Sequence, residues 1–110
     1  MLADTIAREL SRIADHLSKR FPLKKIILFG SRATGRADEK SDIDLLIISE
    51  FRGRRRNLMT AMNKSLDEAT EYPVDLVILT PEEFDREEGI PGTLARYASQ
   101  HGRTVYERSS

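Results

Sequence analysis

Residues 26–48 read IILFGSRATGRADEKSDIDLLII. Two apolar runs, 26–29 and 45–48, bracket a segment crowded with charge and containing Gly30 and Gly35. Runs of four to eight apolar residues bounded by proline or glycine are too short for helices and read as strands. The first strand is expected over 24–29, closed by Gly30, with a loop after it. The second is expected over 42–49, polar where it begins and nearly continuous in apolar residues thereafter, as in a strand buried on both faces. Its opening residues therefore lie at an end of the sheet. Successive side chains on a strand point to opposite faces, so Asp42 and Asp44 project to one side while Ile43 and Leu45 project to the other.

Upstream, Leu2, Ile6, Leu10, Ile13 and Leu17 recur at three- and four-residue steps among charges, which predicts an amphipathic helix stopped by Pro22 soon after Phe21. Downstream, Leu58, Met62, Leu66 and Ala69 give the same period over 54–72, and Pro73 ends that helix. A third strand is expected over 74–79, with Asp75 in its opening. Thr80, Pro81 and Glu83 have the pattern of an N-cap, a proline at the first helical position and an acidic first turn, so a short helix should run through Phe84. Pro91 is expected to open a further helix ending near His101, with Gly102 as the left-handed residue past it. A last strand is expected over 104–106. The fold class is α/β (α+β), a mixed sheet with helices packed mainly on one face. The long helix between the second and third strands allows either a parallel or an antiparallel pairing.

The 110 residues suit a single domain spanning 1–110, because a chain of this size buries roughly two-thirds of its unfolded surface in one core. The absence of cysteine excludes disulfides, thiolate metal sites and thiol nucleophiles, so any metal must sit on oxygen or histidine. Lys plus Arg equals Asp plus Glu at 18 each, leaving no overall field to draw the chain to nucleic acid or a membrane surface. With no apolar run long enough to span a bilayer and no signal-peptide pattern at the N-terminus, the expectation is a soluble cytoplasmic protein without nucleic acid as a direct ligand. Self-association stays open. The basic run 52–56 reads as a solvated helix entrance, and Phe51 alone among aromatics lies near it for stacking. His16 and His101 read as helix-surface residues, and Met59 and Met62 as core packing.

The chemistry-bearing residues are Gly30 and Ser31 directly after one strand, Asp42 and Asp44 opening the next, and Asp75 opening a third. If Asp75 lies level with the aspartate pair, three negative charges converge. Two such charges at ~4 Å repel by ~4 kcal/mol at an effective dielectric of ~20, a conflict that a divalent cation resolves. Oxygen-only ligands beside a phosphate substrate favour Mg2+, with Mn2+ as a substitute. The Gly30–Ser31 turn would offer backbone N–H groups and a hydroxyl to phosphates, with Arg32 and Arg36 as nearby cations. The glycine spacing of a P-loop is also present, but Arg36 and Ala37 stand where that motif needs lysine and then serine or threonine, so that reading is rejected.

Gly30-Ser31, ten intervening residues, then Asp42-Ile43-Asp44 resembles the signature of the DNA polymerase beta nucleotidyltransferase superfamily. GSRATGRADEKSDIDLLI in particular is similar to the minimal nucleotidyltransferases of prokaryotes, including the MntA-type antitoxins paired with HEPN-domain toxins. The likeness runs from Ile26 to about Leu79, with a weaker one in IPGTLARYASQHGRTVYE. It implies a polymerase-beta-like fold, Asp42, Asp44 and Asp75 as catalytic metal ligands, and Gly30 with Ser31 on the triphosphate. It further implies ATP as the AMP donor and a hydroxyl on a partner HEPN toxin as the acceptor. Antibiotic nucleotidyltransferases of the superfamily carry an added substrate-binding domain, and none is expected in these 110 residues. The alternatives are therefore an antitoxin acting by contact alone, and a small-molecule nucleotidyltransferase completed by a second subunit.

Overall fold

A computed structural model describes residues 4–35 and 41–109. The elements follow in the order α1 (Asp4–Arg20), β1 (Leu23–Phe29), α2 (Ser31–Thr34), β2 (Ile43–Ser49), α3 (Arg55–Ala69), β3 (Val74–Leu79), α4 (Pro81–Glu87), α5 (Leu94–His101) and β4 (Arg103–Glu107). The four strands form one mixed sheet in the order β3-β2-β1-β4. β1 pairs antiparallel with both β2 and β4, whereas β2 and β3 run parallel, joined through α3. Of the two pairings that the length of this helix left open, the parallel one is therefore adopted.

β2 is a central strand, and its composition explains why. Ile43, Leu45, Leu46 and Ile47 are fully buried, because both faces of the sheet are covered. Ile43, Leu45 and Ile47 pack in the larger core with Ile26 and Leu28 of β1, Ile6 to Leu17 along α1, and Met62 and Leu66 of α3. Leu46 and Ile48 face the other way, into a smaller core with Ile27, Phe84 of α4, and Ala95 and Ala98 of α5. The two long helices share one face as expected, and two short helices add cover on the opposite one. Each fully buried aliphatic contributes about 1.5–3 kcal/mol. A one-residue slip of β2 would turn Asp44 into the larger core and Leu45 out of it, so the register of this strand is strongly specified.

Punctuation differs from the sequence reading in four places. The segment after Gly30 is not loop throughout but winds one short helix, α2, closed by Gly35 in the left-handed region (φ +79°). α3 stops at Ala69 rather than Tyr72, because Thr70 is extended and its hydroxyl accepts the Tyr72 N–H at 3.1 Å. α5 begins at Leu94 and not at Pro91. Gly92, at φ +89°, breaks any helix started at Pro91, and Thr93 caps the real one by accepting the Arg96 N–H at 3.1 Å. Thr80, Pro81 and Glu83 do form the expected capping box, with reciprocal bonds of 3.1 and 2.9 Å.

Gly102 is the fourth difference. It is extended (φ −82°, ψ 174°), not left-handed, so its need for glycine is spatial. A Cβ there would lie 2.5 Å from both the Ala98 carbonyl oxygen and Ile27 Cγ2, and 2.9 Å from the Leu28 carbonyl oxygen. α5 is thereby seated directly against β1. Gly102→Ala is expected to destabilise the fold by about 1–3 kcal/mol, the usual cost of overpacking, seen as a lower urea midpoint at unchanged slope. A wild-type midpoint would show that α5 has room to move.

Candidate active site

Three strand ends meet where β1 finishes and β2 and β3 begin. Asp44 pairs with Phe29 on the antiparallel side and with Asp75 on the parallel side. The lead-in to both acidic strands is pinned, since the Ile43 N–H donates to the Pro73 carbonyl at 2.9 Å. Asp42 immediately precedes β2 and is exposed, as is Asp75, whereas Asp44 is half-buried. Alternation places Asp42 and Asp44 on the face of the smaller core, beyond its last apolar residue, and Asp75 shares that face because it is level with Asp44 in a parallel ladder.

The electrostatics reflect this crowding. Burial pushes the Asp44 carboxyl above the ordinary carboxylate range, and the negative charges of Asp75 and then Asp42 push it further. Both partners therefore act on Asp44. Among the described residues, no three carboxylate or imidazole side chains are drawn together tightly enough to cage an ion by themselves. The donor set nonetheless suits a hard cation, because it is all oxygen and open to solvent.

Gly30 is required on two counts. Its backbone (φ +78°, ψ −157°) lies in a region essentially confined to glycine, and a Cβ would collide with Asp44 Oδ2 and come within 3.2 Å of Asp44 Cγ. The turn and the aspartate thus sit in direct apposition. Its carbonyl accepts the Ala33 and Thr34 N–H groups at 3.1 and 3.3 Å, which begins α2 with Ser31 as its first residue.

The two arginines expected beside the turn fare differently. Arg36 lies outside the described residues. Arg32 is buried, with Nε and Nη2 donating to the Ser41 carbonyl at 3.0 and 2.7 Å and the guanidinium over the Tyr72 ring, 5.5 Å from its centre. Two residues that the sequence does not single out also bear on the turn. Tyr72 is that ring, and Arg103, at the start of β4, donates from Nε to the Ala33 carbonyl at 3.2 Å. Neither carries a local signal, because each acts on a segment far away in sequence.

Elsewhere the basic run is partly neutralised, with Arg55 Nη2 donating to both Glu83 carboxylate oxygens at 2.5 and 2.7 Å and its guanidinium 5.4 Å from the Phe51 ring centre. A cavity of about 610 Å3, bounded by Pro22, Phe51, Arg52, Pro81 and Arg108 among others, opens at the opposite end of the strands and shares no lining residue with the aspartates. Volume alone points away from the carboxylates. Convergent like charge and backbone apposition are the firmer guide to chemistry here, because the charged residues lining that cavity are of both signs, Lys24, Arg52 and Arg108 with Glu50 and Glu82. No helix among the described residues is long and apolar enough to cross a membrane.

A four-stranded mixed sheet carrying an acidic pair on a central strand, with a glycine turn set against it, has the nucleotidyltransferase fold. The chain belongs to the nucleotidyltransferase domain family, whose model matches residues 10–101. Among solved structures it is similar to a protein from Sulfolobus solfataricus assigned as a nucleotidyltransferase, at 23% identity over 94% of this chain and 82% of that one, with a TM-score of 0.62. It is also similar to a chain of a toxin-antitoxin solved with AMP-PNP, at 20% identity over 94% and 74% of the two chains and a TM-score of 0.61. A third is a mutant of the toxin-antitoxin MntA-HpeT with two aspartates changed to glutamate, at 22% identity over 98% and 76% and a TM-score of 0.58. No curated protein matches the chain significantly.

Proposed function

We propose that this chain is a Mg2+-dependent adenylyltransferase that moves AMP from ATP onto a hydroxyl of a partner protein, a HEPN-type toxin, and thereby acts as its antitoxin in the cytoplasm. The observation that carries the reading is the cross-strand pairing of Asp44 with Asp75, with Asp42, two residues back, near enough for its charge to act on Asp44. Family membership supplies the class of reaction. Two of the similar structures are of toxin-antitoxin systems, one solved with AMP-PNP. In the other, the two altered aspartates are separated by a single residue, the spacing of Asp42 and Asp44.

Asp42, Asp44 and Asp75 would hold the metal, which supplies charge neutralisation on the triphosphate and acidifies the attacking hydroxyl. The Gly30–Ser31 turn binds the phosphates of ATP through backbone N–H groups and the Ser31 hydroxyl, close to Asp44 because no side chain intervenes at Gly30. In the transfer the acceptor oxygen forms a bond to the α-phosphorus. The bond from that phosphorus to the α,β-bridging oxygen breaks, pyrophosphate leaves, and the hydroxyl proton passes to the exposed Asp75 carboxylate and on to solvent. Asp75 is placed for that role because it is exposed and level with Asp44 on the neighbouring strand. Ile90 and Tyr97 expose 47% and 42% of their surface, apolar area that suits contact with a protein acceptor.

Incubation with α-labelled ATP, Mg2+ and the protein encoded by the adjoining gene tests the proposal. Label should appear on the partner with the wild type and not with the Asp42→Ala, Asp44→Ala double variant. Equal labelling by both would sink it. Neutralisation of the partner by the double variant as well as by the wild type would establish an antitoxin that works by contact alone. Labelling of added aminoglycosides rather than of protein would point to a small-molecule enzyme.

A further inference from the structure

A guanidinium is costly to bury, yet Arg32 is only 8% exposed although it stands on a four-residue helix at the molecular surface. Such burial is tolerated when the donors are met. Nε and Nη2 both reach the Ser41 carbonyl, at 3.0 and 2.7 Å, and the flat face of the group covers the Tyr72 ring at 5.5 Å. These partners occupy significant places in the chain. Ser41 is bonded directly to Asp42. Tyr72 leads through Pro73, whose carbonyl holds the Ile43 N–H, to Asp75. Arg32 itself follows Gly30 by two residues.

One side chain therefore joins the glycine turn, the approach to β2 and the approach to β3, and the last two lead into the acidic residues. A planar fork is well shaped for that role, since two donors converge on one carbonyl while the π-face lies on a ring, a combination that a lysine ammonium does not reproduce. Nε and Nη2 are thereby committed to a backbone oxygen and not left for a phosphate held at Gly30 and Ser31.

We propose that Arg32 is a positioning residue, which sets the separation of Asp42 and Asp75 about Asp44 by clamping the Ser41 carbonyl and the Tyr72 ring to the turn, and that it does not bind the nucleotide. This rests on the nucleotidyltransferase reading and deepens it. Partners that orient metal ligands commonly change metal affinity by 10–100-fold when removed.

The test is a titration of the full chain with Mn2+ alone, followed by the paramagnetic resonance of free Mn2+, alongside AMP-PNP binding without metal. Arg32→Gln should weaken Mn2+ binding about tenfold and leave metal-free AMP-PNP binding unchanged, with Arg32→Lys restoring little. Tyr72→Phe, which keeps the ring, should match the wild type, whereas Tyr72→Leu should lose Mn2+ affinity several-fold. Wild-type Mn2+ affinity together with weakened metal-free AMP-PNP binding in Arg32→Gln would make the residue a phosphate ligand and overturn the proposal. If Arg32→Gln does not fold, the Tyr72 pair decides, and equal Mn2+ affinity of the Phe and Leu variants overturns it. Asp44→Asn separates the two levels: wild-type Mn2+ binding by that variant refutes the acidic site itself, whereas loss there with none in Arg32→Gln refutes only the clamp.

Discussion

Asp44→Asn is expected to abolish nucleotidyl transfer while making the metal-free protein more stable at neutral pH. The two effects have one cause. Asp44 lies between Asp75 and Asp42 on a half-buried stretch of a central strand, and burial together with those neighbouring charges raises its pKa. The folded state thus holds the Asp44 proton more firmly than the unfolded chain does. As pH climbs from the ordinary carboxylate range through the raised value, the folded state must give up that proton against repulsion, so stability falls across this window and the full penalty is present above it. Asparagine removes the penalty. Partial exposure screens the charges, so the gain at pH 7 is modest, on the order of a few degrees in Tm given about 4–8 °C per kcal/mol for a domain near this size. Below the ordinary carboxylate range the wild type and the variant should melt together. Mg2+ should raise the Tm of the wild type and not that of the variant, because only a state that binds the ion is stabilised by it. Transfer should fall by about three orders of magnitude, the loss of several kcal/mol of charge stabilisation. Thermal melts in acid and at neutral pH, with and without Mg2+, beside the labelled-ATP assay, check each part. A variant less stable than the wild type at neutral pH without metal would contradict the electrostatic account.

Gly30→Ala is expected to damage stability and activity together. Backbone strain at φ +78°, ψ −157° costs about 1–3 kcal/mol for a residue with a Cβ, and the overlap with Asp44 adds a further cost of about 1–3 kcal/mol. Relief is available only by rotating Asp44 away from the turn or shifting the end of β1. Either movement separates the turn from the carboxylate, and a misplacement of about 1 Å can cost about 100-fold in rate. A Tm lower by about 10 °C or more and transfer reduced at least ~100-fold are the expected results. The double variant Gly30→Ala, Asp44→Gly tests the steric component, since removing the Asp44 side chain should recover part of the stability but none of the activity. A Gly30→Ala protein with wild-type Tm would show that the turn relaxes freely and that its apposition to Asp44 is incidental.

Much of this arrangement is legible in the residues, for reasons that can be named. β3 is readable to its bounds because Pro73 and Thr80 bracket six apolar-rich residues, and α4 because Thr80, Pro81 and Glu83 each favour a helix start by a separate mechanism. The period of two that puts Asp42 and Asp44 on one side holds in any pairing of β2. Whether Asp75 stands beside them depends on β3 running parallel to β2 in matching register, and α3 is long enough to permit either direction. The start of α5 is misleading in sequence because Pro91 is a good first helical residue in isolation, whereas the left-handed Gly92 and the Thr93 cap override it. Gly102 misleads because glycine past a helix commonly adopts the left-handed form, and here tight contact with Ile27 and Leu28 is the constraint instead. The inward turn of Arg32 has no sequence signal. Its hydrogen-bond partner is a main-chain carbonyl nine residues on, which any residue type could supply, and its ring partner is Tyr72.

The account depends on three acidic groups from two strands and one strand entrance acting on a single divalent ion. A crystal structure of the full chain with Mn2+ and AMP-PNP examines this directly, because the anomalous signal locates the ion without assumption. The predicted result is Mn2+ at the β2–β3 end, with oxygens of Asp42, Asp44 and Asp75 about 2.0–2.3 Å from manganese and the remaining positions filled by phosphate and water. Manganese held by the phosphates alone, with those carboxylates out of reach, would contradict it.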